Sequence, residues 1–200
     1  VEEAGVTVGK IQQLSTQSPA LVAPPRPPEI RAITPSERWD HHTIRGLERN
    51  SIREFVTKHK DLLTGRVLDF GAGKEGTCLK PQPYRTLVDG EYEAWDLGDM
   101  WPIGDYDAIL CTQVVQYVPD PPLLLHWFHG WLKEGGYLVM TYPTSWDEVE
   151  DTDLWRFTKA GMEKLLLDQK FEVLHHERRA EIELGGFKFP LGYGVVARKI

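Results

Sequence analysis

The sequence predicts an α/β fold: a mostly parallel sheet of seven strands, helices on both faces, and an antiparallel pair of strands at its C-terminal edge. Three observations carry this expectation. From residue 66 onward, short apolar runs alternate with helical stretches, the pattern of strand–crossover–strand units. The first run, Arg66–Phe70, stops at Gly71-Ala72-Gly73, where a strand can turn sharply and its backbone can approach a ligand without a Cβ in the way. The last two runs, 171–184 and 191–199, lie around Gly185-Gly186 with no room for a helix between them, so they pair antiparallel.

Taken in order, residues 1–34 lack apolar periodicity and carry Ser18-Pro19, Pro24-Pro25 and Pro27-Pro28. Proline fixes φ and removes amide donors, so this stretch reads as a flexible proline-rich tail, or as a docking arm, ahead of a single domain over 35–200. Thr34-Pro35-Ser36-Glu37 has the form of a capping box with proline in the first turn. The helix it opens should reach Leu63, with Gly46 and Asn50 weakening its middle. Strands are expected at 66–70, 84–89, 92–96, 106–111 and 136–142. Between the last two, Asp120-Pro121-Pro122 caps a helix that Gly135-Gly136 should end. A further helix begins after Thr158.

The 200 residues carry a net charge of −7, which disfavours a surface that coats nucleic acid. Cys78 and Cys111 form neither a metal-ligand nor a redox motif, and His126 and His129 lack companion ligands, so no metal site is expected. No apolar run approaches the roughly 18 residues of a membrane span, and no signal-peptide pattern is present. A soluble, cytoplasmic protein is the expectation.

Gly71, Gly73 and Gly76 have G-x-G-x-x-G spacing, and Asp89 follows at about the distance of a dinucleotide fold's ribose acid. Against a dinucleotide stand Asp69, an acid directly ahead of the glycine turn; Pro81 and Pro83, which leave only a short helix after it; and the terminal strand pair. Asp69-Phe70-Gly71-Ala72-Gly73 instead resembles the first motif of the Rossmann-like S-adenosylmethionine methyltransferases. WDLGDMWP (95–102) is similar to their adenine-facing stretch, and YDAILCTQVVQYVPDP (106–121) to the fourth strand of the small-molecule subgroup called type 11. LKEGGYLVMTYP (132–143) resembles the entry to their fifth strand. DLWRFTKAGMEKLL (153–166) is similar to a segment of members encoded with sugar and polysaccharide pathways. The resemblance covers about residues 36–200.

What the resemblance implies is S-adenosylmethionine as cofactor and a small-molecule acceptor methylated at oxygen or nitrogen. Asp69 would lie near the methionine amino group, with Gly71, Ala72 and Gly73 lining methionine and ribose. Asp89, read as ending the second strand before Gly90, would take the ribose hydroxyls. Asp96 would take the adenine amino group beside the Leu97 backbone, with Asp99 as its rival. Arg49, or Arg45, on the first helix would meet the cofactor carboxylate, and His42 there could act as a base. Gln113 and the pair Gln116-Tyr117 would line the transfer site, with Tyr117 orienting an acceptor hydroxyl or simply filling core. Many relatives have Glu-His where this chain has Gln116-Tyr117, which removes an acid/base pair. Tyr142, Trp146 and Trp155 would wall the acceptor pocket, or fill core. Arg156 would hold an anionic group or pair internally with Asp153 or Asp147. Two other readings stay open: methylation of RNA, DNA or protein, and a non-catalytic methyltransferase-like interaction domain.

Overall fold

A computed structural model describes residues 41–72, 84–95, 102, 104–145 and 152–200. Helix α1 (His41–Lys58) leads into strand β1 (Thr64–Phe70). Then come β2 (Asp89–Trp95), β3 (Tyr106–Thr112), helix α2 (Pro121–Trp131), β4 (Leu132–Pro143), helix α3 (Lys159–Asp168), β5 (Phe171–Leu184) and β6 (Phe187–Lys199). The sheet order is β2-β1-β3-β4-β6-β5. The first four strands are parallel, and β6 runs antiparallel to both β4 and β5.

The α/β class and the antiparallel C-terminal pair match expectation, with a turn at Gly185-Gly186, both at positive φ (+59° and +83°). The sheet has six strands among the described residues, not seven. The expected strand at 84–89 is instead a single 3-10 turn, Arg85–Leu87, closed by Leu87 N donating to Tyr84 O at 2.8 Å. Its apolar residues mimic a strand because Val88 is buried, yet pairing starts only at Asp89, whose N–H donates to Leu63 O. The expected strand at 92–96 is the second half of β2. The first helix is described from His41 and stops at Lys58, with a 3-10 turn (Lys60–Leu62) before β1; Gly46 does not interrupt it. The expected start at Thr34 and the tail 1–34 lie outside the described residues. Helix α2 ends at Trp131, earlier than Gly135-Gly136, because Leu132 already opens β4, paired with Tyr106 of β3.

Each face of the sheet is covered by one set of helices. Ile52, Phe55 and Val56 of α1 pack with Val67, Ala108, Leu110, Val139 and Val196 on one face. Leu124, Leu125 and Phe128 of α2 and Met162 and Leu166 of α3 pack on the other with Phe70, Ile109, Leu138, Met140 and Val195. Asp120 caps α2 by accepting from Leu123 N, and Thr158 caps α3 by accepting from Gly161 N. Because β1, β3 and β4 are parallel, their carboxyl ends at Phe70, Thr112 and Pro143 share one edge, where open α/β sheets hold their ligands.

Candidate functional site

Side chains alternate along β1, so its last two residues serve opposite faces. Phe70 turns toward α2 and stacks on Trp95 with ring centroids 4.3 Å apart. Asp69 turns toward α1, is 1% exposed, and accepts a short hydrogen bond from the Tyr92 hydroxyl. Burial pushes its carboxyl up to about 6, against the opposing pull of the Tyr92 bond. A carboxyl this costly to ionise has much to gain from a cationic ligand.

Gly71 sits at φ +80°, and a Cβ there would overlap Val114 Cγ2 and touch Cγ1 at 3.0 Å. Its N–H and that of Ala72 both donate to Trp95 O, at 2.8 and 3.0 Å. Those amides are therefore committed to the end of β2, and the turn offers a ligand its Cα surface rather than anion-binding donors. Gly71→Ala should lower the melting temperature by several degrees, about 2 kcal/mol of left-handed strain and overlap, and a thermal melt checks it.

Beyond β3 the chain makes a second tight device. Gln113 is held at φ +56°, where non-glycine residues are uncommon, by its N–H donating to Thr141 O at 3.0 Å. Gln116, 3% exposed, donates from Nε2 to Gln113 O at 2.9 Å, and its backbone carbonyl accepts from Leu154 N and Trp155 N at 2.8 and 3.2 Å. Gln113 Nε2, Gln116 Oε1 and Thr141 Oγ1 are buried with no hydrogen-bond partner among the described residues. Buried polar groups are nearly always paired, so three orphans at this edge make it the candidate site; the other two, His59 Nε2 and Tyr106 Oη, lie away from it.

The structure thus gathers Asp69, Gly71, Ala72, Gln113, Gln116, Tyr117 and Trp155 at this edge, Trp155 strapped by its indole N–H donating to Val118 O. Other expected residues lie elsewhere or are engaged by other side chains. Asp89 opens β2 instead of ending a strand and pairs with Thr64, at the opposite edge. Gly90 is beside it, and its φ of +141° serves packing: a Cβ would run into the Gly65 backbone. Tyr142 is fully buried against Phe157 and Tyr193, bonded through its hydroxyl to His176 Nε2 at 2.6 Å, so it fills core instead of walling a pocket. Arg156 spends its fork on Asp153, at 2.5 and 2.7 Å, the internal pairing that competed with an anion-holding role. Arg49 is exposed on α1. Gly73, Asp96, Leu97, Asp99, Trp146 and Asp147 lie outside the described residues, as do the side chains of His42 and Arg45.

Sequence reasoning missed three participants. Tyr92 is one, because its reach to Asp69 depends on the β1–β2 register, which pairs Asp69 with Ala94. Tyr84, bonded to Thr112 at the end of β3 and pushed up to about 12 by burial, is another. Arg179 is the third: within His-His-Glu-Arg-Arg it reads as a solvated charge, yet it is 3% exposed beneath α1.

A family model described as a methyltransferase domain matches residues 39–172. The chain belongs to the methyltransferase-domain family. No curated protein sequence matches this methyltransferase, but solved structures share its fold. One is an S-adenosylmethionine-dependent methyltransferase from Mesorhizobium loti, 17% identical, covering 76% of this chain and 98% of its own, with a TM-score of 0.53. The 1,6-didemethyltoxoflavin-N1-methyltransferase of Burkholderia thailandensis, with its substrate and S-adenosylhomocysteine bound, is 17% identical over 79% of this chain and 83% of its own (TM-score 0.52). The magnesium protoporphyrin IX methyltransferase of Synechocystis, with bound cofactor, is 13% identical over 82% and 86% (TM-score 0.53).

Proposed function

We propose that this methyltransferase takes S-adenosylmethionine as methyl donor and methylates an oxygen or nitrogen of a small molecule, a sugar or another biosynthetic intermediate. The observation that carries the reading is the meeting, at one sheet edge, of a buried carboxyl held by the Tyr92 hydroxyl with a turn in which, among the described residues, Gln113 Nε2 and Gln116 Oε1 have no hydrogen-bond partner. Asp69, Gly71 and Ala72 would hold the methionine end, and Gln113 would face it from β3. The donor, when bound, supplies a methyl already activated on a sulfonium, so alignment is the main demand on the protein. This chain's contribution is to orient: the Asp69 carboxylate complements the cofactor's ammonium, and the Gln113–Tyr117 turn fixes what approaches from the other side. Tyr117 at the end of that turn is the candidate for touching the acceptor. The named neighbours act on a porphyrin and a toxoflavin precursor, and the net charge of −7 disfavours a polyanionic substrate.

Isothermal calorimetry with S-adenosylmethionine and S-adenosylhomocysteine tests the proposal, and a folded sample that binds neither would refute it. The sheet topology adds a sharper expectation. Asp89→Ala, at the opposite edge, should leave the affinity within about twofold of the parent chain, whereas a tenfold loss would place Asp89 in the site after all.

A further inference from the structure

Resting on the reading above, we propose that Gln116 Oε1 selects the acceptor: it takes a hydrogen bond from an acceptor N–H or O–H, so the enzyme accepts neutral amines and hydroxyls and turns away carboxylates. The orientation of this amide is fixed by its neighbour. Gln113 O can only accept, so the Gln116 atom 2.9 Å from it is the NH₂ group, and the atom left over is the carbonyl oxygen. That oxygen is buried without a partner among the described residues, on a residue 3% exposed. It can accept and nothing else. A carboxylate brought against it would set acceptor against acceptor, whereas an amine or hydroxyl would satisfy it.

The position is preorganised, not adventitious. Gln113 is pinned at φ +56° by Thr141 O, and Gln116 O is pinned by two backbone donors, Leu154 N and Trp155 N. Buried Gln113 Nε2, also without a partner, supplies a donor in the same turn, so a hydroxyl that donates to Gln116 can accept from Gln113. An amide oxygen is too weak a base to remove a proton near neutrality. Gln116 is therefore a positioning residue, and the nucleophile must be an amine or a hydroxyl that loses its proton without help from this residue.

The test uses the full chain saturated with S-adenosylhomocysteine and four probes of similar size: phenol, aniline, anisole and benzoate. Phenol and aniline should shift the Gln116 side-chain amide signals in ¹⁵N spectra and bind about tenfold more tightly than anisole or benzoate. Gln116→Met, which has no acceptor oxygen, should erase that preference while keeping S-adenosylhomocysteine affinity. Gln116→Leu, which also lacks an acceptor, should erase it likewise and stands in if the Met variant melts early. Equal binding of all four probes, binding by none, a preference that survives in Gln116→Met, or a resident water that stays on Oε1 with phenol bound would each overturn the assignment. Failure of S-adenosylhomocysteine itself to bind would bring down the broader reading; binding without donor selectivity would bring down this inference alone.

Discussion

Asp69→Asn should make the ligand-free protein more stable at pH 8 and, at the same time, remove most of its affinity for S-adenosylmethionine. The two effects have one cause. The carboxyl of Asp69 is 1% exposed, with the Tyr92 hydroxyl as its hydrogen-bond donor, and it titrates near 6 in the folded chain. In the unfolded chain an aspartate titrates near ~3.9. Between those values the native state holds a proton that the unfolded state has released, so this group's contribution falls as pH rises from about 4 to about 6 and is flat above. A gap of about two units corresponds to about 3 kcal/mol at pH 8. Asparagine keeps an oxygen for Tyr92 and carries no charge, so it escapes that cost. The variant's melting temperature should exceed the parent's by several degrees at pH 8 and match it near pH 4. A cofactor ammonium would recover in binding what the free carboxylate costs in folding, and asparagine offers no charge for it. Melts at both pH values with calorimetry at pH 8 decide the matter. A variant destabilised equally at both would show that the carboxylate is structural.

The same residues show where sequence was a good guide. Asp69 and Gly71 were legible because strand, acid and glycine follow one another in the chain, and local order is what periodicity reports. The caps Asp120 and Thr158 and the terminal hairpin were legible for the same reason. Asp89 was misplaced because Tyr84–Val88 has strand-like composition; the 3-10 turn there delays β2 by several residues and moves the acid from the end of a strand to its start. In a parallel sheet that shift carries a side chain from one edge to the other. Tyr142 and Arg156 illustrate a different limit. Their residue types suit a pocket, but His176 and Asp153 claim them first, and such pairings are set by tertiary packing that no local pattern encodes. The orphan atoms of Gln113 and Gln116 lie further still from sequence, since a missing partner is a property of the whole neighbourhood.

Arg179→Leu should cost about 3 kcal/mol and lower the melting temperature by roughly 6–12 °C, the second large effect expected. Arg179 lies in β5 beneath α1, and burial lowers its guanidinium to about 10, still fully charged at neutral pH. Its Nε donates to Tyr193 O at 3.0 Å, and its two terminal nitrogens donate to Ser51 Oγ at 3.1 Å and Tyr142 O at 3.4 Å. Glu48, at 4.0 Å, supplies the opposing charge from α1. One side chain thus joins β4, β5, β6 and the helix packed on that face of the sheet. Leucine matches the apolar stem but takes a side-chain donor from the Tyr193 and Tyr142 carbonyls and a nearby opposite charge from Glu48, and stripping one partner from a buried polar pair costs more than the intact pair contributed. Arg179→Lys keeps the charge but not the fork, so it should fall between the two. Because Ser51 and Glu48 are the α1 ends of these bonds, hydrogen exchange in residues 44–55 should quicken in the leucine variant before the strands are affected. A leucine variant that melts within a degree of the parent, with α1 protection unchanged, would show that apolar packing by Ile52, Phe55 and Val56 holds the helix without help from the guanidinium.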